Sequence, residues 1–148
     1  MPDVLPLFHR YKDDVYRLAL SCTRSPQEAE DICQTVFLKL MEHPQITPGK
    51  EKAWLMQVTV NQCRSLLRSH WWSRTDPVDE KLPAPTGEDD SVRVAVMSLD
   101  PKYRVVVYLY YYEQYTTVEI AKLLRISPSA VSTRLFRARE ILKKRLEE

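Results

Sequence analysis

Residues 115–145, YTTVEIAKLLRISPSAVSTRLFRAREILKKR, contain two helix starts, and the second helix is heavily basic. Thr116 is placed to cap the first helix, with Glu119 at the third helical position to complete a capping box. Ser127 is placed to cap the second, with Pro128 at the first helical position, where a missing N–H costs nothing. Only Leu124, Arg125 and Ile126 lie between them, which is the short turn of a helix-turn-helix. Ile120, Leu123, Leu124, Ile126, Val131, Leu135 and Ala138 recur at helical spacing and supply a core. Core packing leaves the charge unexplained: seven Arg or Lys stand against one acid, Glu140, between Arg125 and Arg145. A basic amphipathic helix can be a solvated face and nothing more. One that comes after a tight turn is also built to enter the major groove of DNA, and the surplus charge favours that reading.

Moving outward, the charge is unevenly spread over the 148 residues. Residues 1–74 carry ten Lys/Arg and eight Asp/Glu, residues 75–91 one and six, and residues 92–148 eleven and six. An acidic middle therefore masks a basic C-terminal segment, the electrostatic footprint of a polyanion partner. The middle segment, TDPVDEKLPAPTGEDDS, combines three prolines and a glycine with almost no apolar periodicity, so it reads as a flexible acidic linker. The chain accordingly divides into two domains, 1–74 and 92–148.

Helices are expected throughout, and the chain has only two glycines. VYRLALSC places Val15, Leu18, Ala19 and Cys22 on one stripe. Ser25 to Glu28 reads as a capping box opening a helix whose stripe is Ile32, Cys33, Val36, Phe37 and Leu40. A third helix is expected from Glu51 to Ser69, with Trp54, Leu55, Val58, Gln62 and Leu66 near one face. Asp100-Pro101 should cap PKYRVVVYLYYYEQ. That segment suits a strand on propensity, but Val105, Val106, Leu109 and Tyr112 keep helical spacing and no partner strand exists. The fold class is all-α: two small helical domains on a short acidic tether.

Several functions are disfavoured. There is no glycine-rich phosphate loop, no nucleophile arrangement and no metal-ligand spacing among Cys22, Cys33, Cys63, His9, His43 and His70, so neither an enzyme nor a cofactor is expected. The cysteines read as reduced, mostly buried thiols of a cytoplasmic protein. MPDVLPLFHRYKDD lacks the pattern of a signal peptide, and no apolar run is long enough for membrane insertion.

Residues 99–146, LDPKYRVVVYLYYYEQYTTVEIAKLLRISPSAVSTRLFRAREILKKRL, resemble region four of the extracytoplasmic-function (ECF) sigma factors of bacterial RNA polymerase, in the sigma-70 family. Region two is resembled by VYRLAL, AEDICQTVFLKL and KAWLMQVTVNQCRSLLR. The ordered pair on an acidic tether carries the resemblance more than either part. It implies a transcription initiation factor that binds core RNA polymerase and directs it to promoters by their −10 and −35 elements. Partners implied are the clamp helices of the β′ subunit, the flap of the β subunit, promoter DNA and an anti-sigma factor, with no small-molecule substrate.

Carried onto this chain, the resemblance puts polymerase binding on Asp31, Gln34 and Leu38, with Glu30 and Lys39 nearby. It puts −10 recognition and strand melting on Trp54 and Asn61, with the loop 44–52 at the pocket-forming position. An extruded base needs hydrogen-bonding groups and a stacking surface. Single-stranded DNA also needs cations, and Lys50, Lys52, Arg64, Arg68 and Arg74 are candidates. Trp54 suits the core better than a DNA contact, and Trp71-Trp72 fit base stacking as well as a helix end. The −35 residues implied are Ser127, Ser129, Ser132, Thr133, Phe136 and Arg137, with Arg137 suited to guanine and Phe136 to a thymine methyl. Arg134, Arg139, Lys143 and Lys144 suit phosphates.

The chain departs from the family where Arg125 replaces a turn glycine and Ser132 a basic residue. Further departures are Gln57 and Val60 in the third helix, and Thr35-Val36 after Gln34. A stand-alone helix-turn-helix regulator, with the N-terminal block as dimeriser, is the competing function. A polymerase-binding decoy is a third.

Overall fold

The computed structural model describes residues 4–43, 46–66 and 91–147. Among them every regular element is helical, and contacts divide the chain into two compact units, Met1–Arg68 and Ser69–Glu148. The expected boundary at residue 74, and with it Arg68, Trp71, Trp72, Arg74 and most of the linker, lies outside the described residues.

The first unit packs α1 (Val4–Thr23), α2 (Pro26–Glu42) and α3 (Glu51–Leu66) pairwise around one core. Val15, Leu18, Ala19 and Cys22 of α1 are all fully buried, as their spacing predicts. At the α1–α2 corner the Arg24 N–H closes the last turn of α1 on the Leu20 carbonyl at 2.8 Å, and Arg24 then turns left-handed (φ 56°), which takes the chain out of the helix. Ser25 then caps α2, its hydroxyl accepting the Glu28 N–H at 3.2 Å. Gly49 precedes α3 at φ 88°, a region open to glycine and costly to side chains.

On α3 the buried face differs from the expected stripe. Leu55, Met56, Thr59, Val60 and Cys63 face the core, whereas Val58 and Gln62 are half-buried and Leu66 is exposed. Apolar spacing misleads because the core face includes a threonine. The Thr59 hydroxyl donates to the Leu55 carbonyl at 2.6 Å, and so enters the core with its hydrogen bond made.

The second unit contains α4 (Ser91–Met97), α5 (Pro101–Val107), a π-helical turn continuing α5 over Tyr108–Tyr112, α6 (Thr117–Leu124) and α7 (Pro128–Glu147). α4 has no counterpart among the helices expected from sequence, and its first residue, Ser91, falls in the stretch that reads as linker. α5 is the centre, with every side chain from Lys102 to Leu109 buried. Asp100 stands at its N-cap but makes no capping hydrogen bond. Arg104, 2% exposed, instead organises this corner, its Nη1 donating to the carbonyls of Leu99 (2.8 Å) and Met97 (3.2 Å). Met97 is the last residue of α4, where helix carbonyls have no partner further along the helix, and Leu99 follows two residues on.

The π turn corrects one sequence expectation. A regular helix would place Tyr112 on the stripe of Val105, Val106 and Leu109, but Tyr112 is 62% exposed. The wider turn, closed by the Glu113 N–H on the Tyr108 carbonyl at 3.2 Å, inserts an extra residue and rotates the side chains beyond it. Tyr108 and Leu109 go inward; Tyr111 and Tyr112 go outward.

Candidate nucleic-acid interface

α6, the turn and α7 form a helix-turn-helix with every cap in its expected place. Thr116 accepts the Glu119 N–H at 3.1 Å and Glu119 accepts the Thr116 N–H at 2.9 Å, the reciprocal box. That bond from the Thr116 backbone also holds the Glu119 carboxyl below its ordinary pKa. Arg125 ends α6 in the left-handed region (φ 58°, ψ 45°), the conformation for which helix ends favour glycine. Ser127 caps α7, its hydroxyl accepting the Ala130 N–H at 3.0 Å.

α7 divides cleanly into two faces. Val131, Leu135 and Ala138 are buried against the unit. Ser129, Ser132, Thr133, Phe136, Arg137, Arg139 and Lys143 are exposed, and Phe136, at 61%, is an apolar ring standing in solvent. Arg134 differs from its neighbours: it is half-buried, and loss of solvent lowers its pKa. Arg145 is also drawn off the basic face, since its Nη1 donates to the Ser98 hydroxyl and ties α7 to the α4–α5 corner.

In the first unit an open cleft of 710 Å³ is lined by Glu42, His43, Ile46, Thr47, Lys50, Ala53 and Trp54. The rings of His43 and Trp54 lie 5.8 Å apart, and Trp54 is half-buried, serving cleft and core at once. The structure thus brings Trp54 and Lys50 together. Asn61 lies two turns further along α3, outside the cleft lining, its Oδ1 accepting from Gln57 at 3.0 Å. Lys52 and Arg64 are half-buried on the same helix.

Opposite the core face of α2, Glu30, Asp31, Gln34 and Leu38 are exposed, with Lys39 half-buried. Leu38 is 59% exposed, and Met41, which sequence reasoning misses, is 58% exposed one turn on. Two large apolar side chains falling off the core stripe are the signal that could have found it.

The three thiols are free. Cys63 is held protonated by its hydrogen bond with Cys22 and by burial, and burial with the Glu30 and Asp13 carboxylates pushes Cys33 up to about 11. Among the described residues no cluster of His, Cys, Asp and Glu is placed to hold a metal ion, and no helix is long and apolar enough to cross a membrane.

Comparison with known proteins adds a consistent picture. Residues 7–73 match sigma-70 region 2, and residues 89–142 match sigma-70 region 4. The chain is 32% identical to the ECF RNA polymerase sigma factor SigM of Bacillus subtilis, over 93% of this chain and 91% of SigM. It is 27% identical to the ECF RNA polymerase sigma factor SigE of Mycolicibacterium smegmatis, over 97% of this chain and 61% of SigE. Its fold is similar to that of the sigma factor RpoE of Bartonella quintana, solved with the anti-sigma factor NepR, at a TM-score of 0.73 and 17% identity over 99% of this chain and 98% of that one.

Proposed function

The chain belongs to the ECF sigma factors of the sigma-70 family, and from that membership we propose how its surfaces divide the work of promoter recognition. As a member it is a transcription initiation factor that directs RNA polymerase to promoters. The stand-alone regulator is not favoured, because the match continues through region 2.

The exposed face of α7 reads the −35 duplex. The observation that carries this is the split of α7 itself: Val131, Leu135 and Ala138 are committed to the core while Thr133, Phe136 and Arg137 face outward together. Arg137 can donate two hydrogen bonds to a guanine, and Phe136 can cover a thymine methyl. Ser127 acts as cap first, with Ser129 and Ser132 flanking the groove. Arg139, Lys143 and Lys144 take phosphates; half-buried Arg134 contributes less.

The cleft at Trp54 takes a base extruded from the −10 strand, with Trp54 and His43 as stacking surfaces and Lys50 beside the backbone. Asn61, Lys52 and Arg64 extend the strand's path along α3. The α2 face of Glu30, Asp31, Gln34 and Leu38, now with Met41, docks on the clamp helices of β′; Lys39 lies at its edge. Region 4 meets the β flap, and an anti-sigma factor competes for these surfaces. The factor acts in the cytoplasm, and chemistry belongs to the polymerase.

The test is run-off transcription with this chain as the sole sigma factor. Core polymerase should start at a defined site only when the chain is added. Core binding without initiation would make it a decoy, and no core binding would sink the assignment.

A further inference from the structure

The π turn after α5 puts tyrosines where the core does not need them. Tyr111 is 49% exposed, and its hydroxyl accepts the Nε–H of Arg139 at 2.7 Å. The Arg139 guanidinium carbon also lies 5.7 Å from the ring centroids of both Tyr110 and Tyr111. Those rings meet edge to face at 5.0 Å, forming a corner that the guanidinium occupies. Arg139 is thus held by a hydrogen bond and two cation–π contacts, although it is exposed.

The geometry leaves a definite set of donors. With Nε committed to Tyr111, the two Nη groups still present four N–H bonds in one plane, the fork that matches a phosphate. Arg139 shares a stripe of α7 with Ser132, Phe136 and Lys143, at spacings of four, three and four residues. Ser132 to Arg139 is seven residues, or roughly 10 Å along the axis, close to the ~12 Å width of a major groove. A helix entering the groove by its first turns therefore carries Arg139 to the groove wall, where the backbone runs.

Accordingly, we infer that Tyr111 is a positioning residue: together with Tyr110 it holds the Arg139 guanidinium aimed at a phosphate of the bound duplex, so that the π turn of α5 is part of the DNA-binding apparatus. This rests on the reading of α7 as the DNA-binding helix. A loose arginine must be immobilised on binding and loses affinity for it; one already held does not. The contact is to the backbone, so it adds affinity on every sequence and no preference among them. The π turn gives the sharpest mark of the device, because a regular helix through Tyr108–Tyr112 would send these rings elsewhere.

The experiment uses the full chain and a fluorescent 30-base-pair duplex of mixed sequence, with affinity measured across a salt series. Arg139→Ala should lower affinity and flatten the slope of log affinity against log salt by about one. Tyr111→Phe keeps the ring and the arginine's charge. It should weaken binding roughly two- to tenfold with the slope unchanged, the worth of one side chain left to be ordered on binding. In the Arg139→Ala background, Tyr111→Phe should have no further effect. Arg139→Lys should keep the salt slope and be indifferent to Tyr111→Phe, since a lysine has no Nε fork to hold. Wild-type affinity in Tyr111→Phe, or an equal loss with Arg139 already removed, overturns the positioning role alone. If the wild-type chain binds no duplex at any salt, the assignment of α7 to DNA fails first and takes this one with it.

Discussion

Arg125 carries a conformational cost on behalf of the helix-turn-helix. At φ 58° its Cβ crowds the backbone, a penalty of about 1–2 kcal/mol that glycine does not incur. Arg125 is exposed. Arg125→Gly should therefore stabilise the second unit by about 1 kcal/mol, read as a higher denaturation midpoint at unchanged slope. Arg137 offers the opposite kind of prediction. Arg137→Ala should cost about 1–3 kcal/mol at the −35 element and relax its sequence preference; an equal loss on all sequences would identify a phosphate contact instead. Single residues are also where the sequence is most and least legible. Capping residues such as Thr116 and Ser127 act within one turn, so their role is written locally. Arg104 reaches back to Met97 and Leu99 inside a folded corner, and a charge with an inward destination looks like any other arginine in a string of letters.

At the scale of elements, α6 depends on a carboxylate. Glu119 has its pKa lowered, so its contribution to the folded state is present above the ordinary carboxylate range and is lost as pH falls through the lowered value. The outcome to expect is fraying at the start of α6 in acid, ahead of α7, seen as loss of protection at the Thr116 amide in an NMR pH titration. Glu119→Gln, which keeps an acceptor for that amide but carries no charge, should remove most of the pH dependence. Helices with clean apolar stripes, α1 and α2, are legible because periodicity and burial coincide in them. α3 is legible as a helix but not in its facing, since buried Thr59 and half-buried Val58 invert the usual association of polarity with exposure. The π turn has no local signal at all. Its four tyrosines and one leucine suit strand, helix and π turn alike on propensity, and the only part of the turn that the core takes in is Tyr108 and Leu109.

At the scale of the whole molecule, the two units are assigned separable steps, so their variants should fail differently. Asn61→Ala should leave polymerase–promoter association nearly intact and impair strand opening. Permanganate reactivity of the −10 thymines checks this, and normal reactivity would remove Asn61 from the melting path. The order of the two halves is readable from the resemblance of each block to its sigma region, taken with the acidic stretch between them. Which side chains share a cleft is not readable. His43 and Trp54 meet only after the α2–α3 corner has folded, across a span that includes Gly49 at positive φ.

The burial of α5 on every side has a consequence for how the second unit opens. Lys102 to Leu109 touch no solvent to speak of, and α4, α6 and α7 all lie against α5 or its π turn or against each other. Neither α4 nor α7 can leave while α5 stays dry, because both pack against it, and α6 covers the π turn that continues it. Its amides should exchange with deuterium last and in concert, at a rate set by unfolding of the entire unit. A single slow-exchanging amide, such as that of Val106, then serves as a gauge of the unit's global stability.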